Sequence, residues 1–129
     1  MKKKTKYSYS DKNKYVDYQY KGLIGSLMKY DHRMLEATLP NRKYSKVLEI
    51  GPGFHSHLDY LKHDFDQFFI LEKEKNKIKF HKKIKDKKIK LSEYKNNKMP
   101  FQKNFFDRII MCHVLEHIDH PEKFIVEAM

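Results

Sequence analysis

Residues 47–58 read VLEIGPGFHSHL. A short apolar run carries one carboxylate, Glu49, and meets Gly51-Pro52-Gly53, followed by a polar segment with His55 and His57. The chain has four glycines in all, and two stand here. KVLEI reads as a strand apolar enough to be buried on both faces. Glycine after such a strand lets backbone come close to a ligand, because no Cβ blocks the approach and positive φ costs little. In parallel α/β sheets, ligands bind beyond the carboxyl ends of the strands, where the first strand turns toward its helix. The unsatisfied N–H groups of a following helix favour an anionic group there. By itself a Gly-x-Gly equally marks a tight turn that binds nothing.

Working outward, strands and helices alternate. Residues 15–39 read as helix interrupted near Gly22 and Gly25, with Leu23, Leu27, Tyr30 and Met34 recurring at three- and four-residue spacing and Pro40 ending it. SHLDYLKHDF (56–65) reads as a helix with Leu58 and Leu61 inward, and QFFILE (67–72) as a second buried strand. KNKIKFHKKIKD (75–86) reads as a lysine-rich surface helix carried by Ile78 and Ile84. KIKLSEY (88–94) alternates as a third strand does, 95–104 is loop, and FFDRIIMCHVL (105–115) contains a fourth strand. HPEKFIVEAM (120–129) begins a helix with Pro121 in its first turn. This alternation predicts an α/β fold with a parallel sheet and helices on its faces. The domain reading is a flexible basic tail over 1–14, a helical segment over 15–43 and the α/β domain over 44–129.

Composition narrows the function classes. The 129 residues fit one domain. The formal net charge is +11, but the lysines are spread along the chain and only Arg33, Arg42 and Arg108 are arginine. Arginine's bidentate fork is the usual tool for base and phosphate recognition, so nucleic-acid binding is possible but not favoured. Cys112 is the single cysteine, which excludes an internal disulfide and suits a reducing compartment. The basic start has no apolar stretch after it and no segment has the length of a membrane span, so a cytoplasmic location is expected.

Glu72 closes the second strand, 21 positions after Gly51. Neighbouring parallel strands bring these two ends together, and a carboxylate there accepts hydrogen bonds from both hydroxyls of a ribose, each contributing roughly 1.5–3 kcal/mol. A nicotinamide site asks for Gly-x-Gly-x-x-Gly, and Ser56 occupies the third glycine's place. Glu49, two residues before Gly51, repels a pyrophosphate but attracts an ammonium group.

These features resemble the class I S-adenosylmethionine-dependent methyltransferases, in their small-molecule, type 11 branch. VLEIGPG resembles the family's first motif, FILEKE its second strand with the ribose-binding acid, and MPFQKNFFDRIIMCHVLEHIDHPEKFIVEAM the stretch through the fourth strand and its helix. The resemblance covers about residues 44–129. It implies a Rossmann-like sheet of order 3-2-1-4, the first part of a seven-stranded fold of order 3-2-1-4-5-7-6. It implies S-adenosylmethionine as cofactor, with Glu49 facing the methionine ammonium, Gly51 and Gly53 passing under the cofactor, Glu72 on the ribose and Glu93 on the adenine amino group. Cys112 and His113 then end the fourth strand beside the methyl group. His55 stands where the family often has a small residue, and either crowds the carboxypropyl end or binds its carboxylate. The family fold continues beyond the fourth strand, so this chain reads as a fragment, or as one whose apolar RIIMC edge is completed by self-association or a partner chain.

HVLEH (113–117) offers groups for chemistry at the methyl. His113, Glu116 and His117 fall on one face if the stretch is helical. Glu116 and His117 then start and cap the helix, or His113 or His117 serves as general base near neutral pH, or the trio holds a divalent ion. Relatives that use metal carry Glu where this chain has His113, and no metal ligand is assigned. His32 either lines the cofactor entrance, as a helix before the first strand does in the family, or is a surface histidine, and His55, His57, His63 and His81 read as ordinary polar residues. The expected function is methyl transfer to an O, N or C atom of a small-molecule acceptor. The alternative is an inactive methyltransferase-like scaffold that engages RNA or an acidic partner through its lysines.

Overall fold

A computed structural model describes residues 22–82 and 84–129. The expected tail and the first part of the N-terminal helical segment lie outside the described residues. The elements run α1 (Gly22–Ala37), β1 (Lys46–Ile50), a 3-10 turn (His57–Tyr60), β2 (Gln67–Glu72), α2 (Lys75–His81), β3 (Ile89–Glu93), β4 (Arg108–Ile110), a second 3-10 turn (Leu115–His117) and α3 (Pro121–Ala128). The four strands form one sheet of order β3-β2-β1-β4, with every pair parallel. The expected adjacency of 47–50 and 68–71 is met, with Val47 opposite Phe68 and Ile50 opposite Leu71.

The two-residue period of the strands sorts side chains onto two covered faces. Val47, Phe68, Ile70 and Ile110 pack with Leu58 and Tyr44 on one face. Leu48, Ile50 and Leu71 pack with Met99, Phe124 and Ala128 on the other. Each fully buried side chain of this kind contributes about 1.5–3 kcal/mol. Both faces are therefore apolar, which is why the strands read as near-continuous hydrophobic runs.

Three expectations need correction. Residues 56–65 are not a helix: only His57–Tyr60 form a 3-10 turn, opened by Ser56, whose hydroxyl accepts from the Leu58 N–H. A second competitor for helix here is Glu49, which draws the Ser56 hydroxyl and the His57 N–H onto its own carboxyl. The helix α1 runs through Gly25 without interruption, and its inward side is not the Leu23–Leu27–Tyr30–Met34 stripe. Those four are exposed, at 88%, 61%, 55% and 42%, while Gly25, His32 and Glu36 are buried. Polar partners beneath the helix outweigh the apolar stripe. Finally, HVLEH is not helical: His113 has φ 53 and the 3-10 turn begins only at Leu115.

Candidate functional site

A cavity of about 1090 Å³ opens at the carboxyl ends of β1, β2 and β4. Its floor is the turn that leaves β1. Gly51 and Gly53 have φ 60 and 64, values that side-chain-bearing residues adopt only with strain. The two glycines serve different ends. A Cβ on Gly51 would stand 2.9 Å from Val114 Cγ2, so this glycine lets the β4 loop pack down on the turn. A Cβ on Gly53 would meet nothing within 4 Å and would project into open space. Added bulk at Gly51 would thus meet the protein itself, whereas added bulk at Gly53 would meet open space.

Two carboxylates frame the turn. Glu49, in β1, is 1% exposed and lines the cavity. One of its oxygens accepts from the Ser56 hydroxyl and the other from the His57 N–H at 2.6 Å. Burial pushes its carboxyl up to about 8, and these hydrogen bonds offset only part of that rise. A cation placed in the cavity would bring the ionised form back. Glu72, at the end of β2, accepts from the Gly53 N–H at 3.2 Å and from the Lys73 N–H at 2.9 Å. The acid on the second strand is thereby tied directly to the glycine turn. His81, at the end of α2, fastens the same turn from below: its Nε2–H donates to the Gly53 carbonyl at 2.7 Å. Burial lowers His81 to about 4, so it is a neutral ring with its proton on that nitrogen.

The remaining expected residues divide. His55, Cys112, His113 and His117 all line the cavity. His113 Nε2 lies 3.4 Å from Asp31 Oδ2, which links the β4 loop to α1. Burial first, then the nearby Glu49 and Asp31 carboxylates, push the Cys112 thiol up to about 12, so it is no nucleophile near neutral pH. Glu93 is in register with Glu72 on the neighbouring strand, but its carboxylate pairs with Lys95 Nζ at 2.8 Å and is not part of the cavity wall. Tyr94 and Asn97 stand in that wall.

Beneath α1 lies a buried polar cluster. His57 Nε2–H donates to Glu36 Oε1 at 2.6 Å, and Arg108 Nη2 donates to the same oxygen at 2.5 Å. The other Glu36 oxygen accepts from the Lys62 N–H at 2.9 Å. Burial pushes the Glu36 carboxyl up, but the hydrogen bonds from His57, Arg108 and Lys62 outweigh it and hold the group at about 2. The His32 and His57 Nδ1 atoms are 2.7 Å apart, one donating to the other. Burial, with the neighbouring histidines, lowers His32 to about 4. His57 and His81 are thus fully buried, not the ordinary polar residues expected. One signal for the cluster stands in the sequence: His32 and Glu36 are four apart, on one face of α1.

Residues 48–129 match the family described as a methyltransferase domain. The chain belongs to that family. No curated protein matches it. Among solved structures it resembles a complex between the Haloferax volcanii Trm112 methyltransferase activator and a protein assigned as a methyltransferase, at 15% identity and a TM-score of 0.67, over 92% of this chain and 55% of that one. It also resembles the YcgJ protein of Bacillus subtilis, at 15% identity and a TM-score of 0.64, over 78% of this chain and 46% of that one. At this identity the likeness shows the fold, and the chain spans about half the length of the solved chains it resembles. Among the described residues, no helix of this methyltransferase domain is long and apolar enough to cross a membrane.

Proposed function

We propose that this methyltransferase domain binds S-adenosylmethionine in the cavity beyond β1 and β2 and transfers its methyl group to an O, N or C atom of a small-molecule acceptor. One observation carries the reading: Glu49, Gly53 and Glu72 meet in one cavity wall, with Glu72 bonded to the Gly53 N–H and the space above Gly53 open. That combination fits an adenosyl amino acid. Glu49 holds the ammonium, Glu72 the ribose hydroxyls, and Gly53 leaves room for the chain between them. His55 stands in the wall near the carboxypropyl end, and Tyr94 and Asn97 flank the adenine side in place of Glu93.

The cofactor supplies a methyl group on a sulfonium, already activated for displacement. The protein's part is alignment and exclusion of water. Cys112 and His113 stand at the end of β4 where the methyl would face, and His113 or His117 accepts the acceptor's proton when the acceptor must lose one. The volume, about 1090 Å³, slightly exceeds the usual ligand pocket, roughly 300–1,000 Å³, which leaves space for a small acceptor beside the cofactor. A lone, half-buried thiol fits a reducing, cytoplasmic setting. The outer side of β4, the last strand of the described sheet, is where a further segment, a second copy or a partner chain would pair.

Amide resonances test the placement. S-adenosylmethionine should shift the signals of Gly51, Gly53, Lys73 and Glu74, and NAD should leave them in place. Shifts confined to residues outside the cavity, or equal shifts with NAD, would overturn it.

A further inference from the structure

We infer that His32, His57 and Cys112 form a binding site for a zinc-class divalent ion, with the fourth coordination position open to the cavity. A nitrogen of each ring and the Cys112 Sγ all lie within 4.8 Å of one another. The three come from α1, the first 3-10 turn and the end of β4, so the fold rather than the local sequence brings them together. Two imidazoles and one thiolate are a donor set for zinc and its neighbours in the transition series. Magnesium and calcium take oxygen ligands and are excluded by it.

The surroundings have the second layer that metal-binding histidines require. A ligating imidazole donates its other N–H to a carboxylate, which fixes the ring and raises its basicity. His57 does this to Glu36, and Glu36 is itself held by Arg108 and the Lys62 N–H. Tyr60 stacks on His32 at 4.7 Å between ring centroids and fixes that ring from the side. With His57 Nε2 so engaged, its Nδ1 faces His32 Nδ1 at 2.7 Å. A tetrahedral ion at about 2.0–2.1 Å from each nitrogen needs them about 3.3 Å apart, so the rings must part by less than about 1 Å. The ion takes the place of the shared proton, which moves to His32 Nε2, and the Cys112 thiol proton leaves to solvent as the thiolate binds.

His32 and Cys112 both line the cavity, whereas His57 lies behind them. The vacant position therefore points toward the space where an acceptor would sit. Three protein ligands with an open fourth position are the arrangement of catalytic rather than structural zinc. The ligand set does not depend on the cofactor reading, because none of the three holds the cofactor's ammonium or ribose; its orientation toward an acceptor rests on that reading.

Cobalt(II) is the probe. The chain has one cysteine, so a thiolate-to-cobalt charge-transfer band in the near ultraviolet reports on Cys112 alone. The untagged protein without cofactor should show that band together with intense tetrahedral visible absorption, saturating at one equivalent and reversed by zinc. Cys112→Ser should abolish the charge-transfer band, and His57→Gln should weaken zinc binding roughly tenfold or more. Cys112→Ala, with circular dichroism unchanged, separates loss of the ligand from loss of the fold. Absence of the band in the folded wild-type protein, or its survival in Cys112→Ser, would overturn the site. Titration of S-adenosylmethionine into the same samples keeps the two readings apart, since either can fail while the other holds.

Discussion

The glycine turn and the polar cluster under α1 stand side by side at the end of β1, yet they are built in opposite ways. The turn is held mainly by bonds to backbone groups: Glu49 takes the His57 N–H beside the Ser56 hydroxyl, Glu72 takes the N–H groups of Lys73 and Gly53, and His81 donates to the Gly53 carbonyl. The cluster is held by side chains far apart in sequence, with Glu36 joined to His57 across 21 positions and to Arg108 across 72. His57 belongs to both, since its N–H serves Glu49 and its ring serves Glu36 and His32. The turn leaves open space above Gly53. A buried ionic cluster fixes the position of α1 against β4, and its parts are costly to separate.

Substitutions should separate these roles. The largest effect is expected from Glu36→Ala, which leaves Arg108 buried without its carboxylate. It should lower stability by about 3–5 kcal/mol in urea unfolding, and a loss within about 1 kcal/mol would place the helix under other control. Gly53→Val should abolish binding of S-adenosylmethionine while costing only about 1–2 kcal/mol for its left-handed backbone. Gly51→Val should cost more stability than that, because it also strikes Val114. Glu72→Gln should lower cofactor affinity by about 10–100-fold, the worth of one or two charge-assisted bonds, with a melting temperature close to wild type.

A pH comparison sharpens the turn's side of the contrast. His81 is held at about 4 in the folded protein against an ordinary 6.5. Between those values the unfolded chain binds the proton and the native one does not, so stability is full above 6.5 and falls as pH drops toward 4. Wild type should therefore lose about 1–2 kcal/mol more than His81→Gln between pH 7 and pH 5, read as the difference between their unfolding curves. Equal losses would mean that burial does not hold the ring neutral in the folded protein. The smallest effect is expected at Glu93→Gln, whose change in cofactor affinity should stay within about twofold.

The two regions also differ in how far they could be read from sequence. The turn was legible because its meaning is local: KVLEI, two glycines and an acid 21 positions on require only that two strands be neighbours, and they are. The sheet order followed from the family resemblance, and the four strands match it. The cluster was not legible because its partners meet only after folding. Apolar spacing in α1 pointed to Leu23, Leu27, Tyr30 and Met34, and gave no weight to His32 and Glu36 one face away. The expected helix after the turn failed for a related reason. A buried Glu49 takes the hydroxyl of Ser56 and the N–H of His57, a tertiary claim that helix periodicity does not register.

Isothermal titration calorimetry of S-adenosylmethionine into the wild-type protein and Gly53→Val, each checked for native fold by circular dichroism, measures the central claim most directly. Saturable one-to-one binding to the wild type and none to the folded variant is the expected result. No heat with the wild type, or equal affinity in the two proteins, would contradict it.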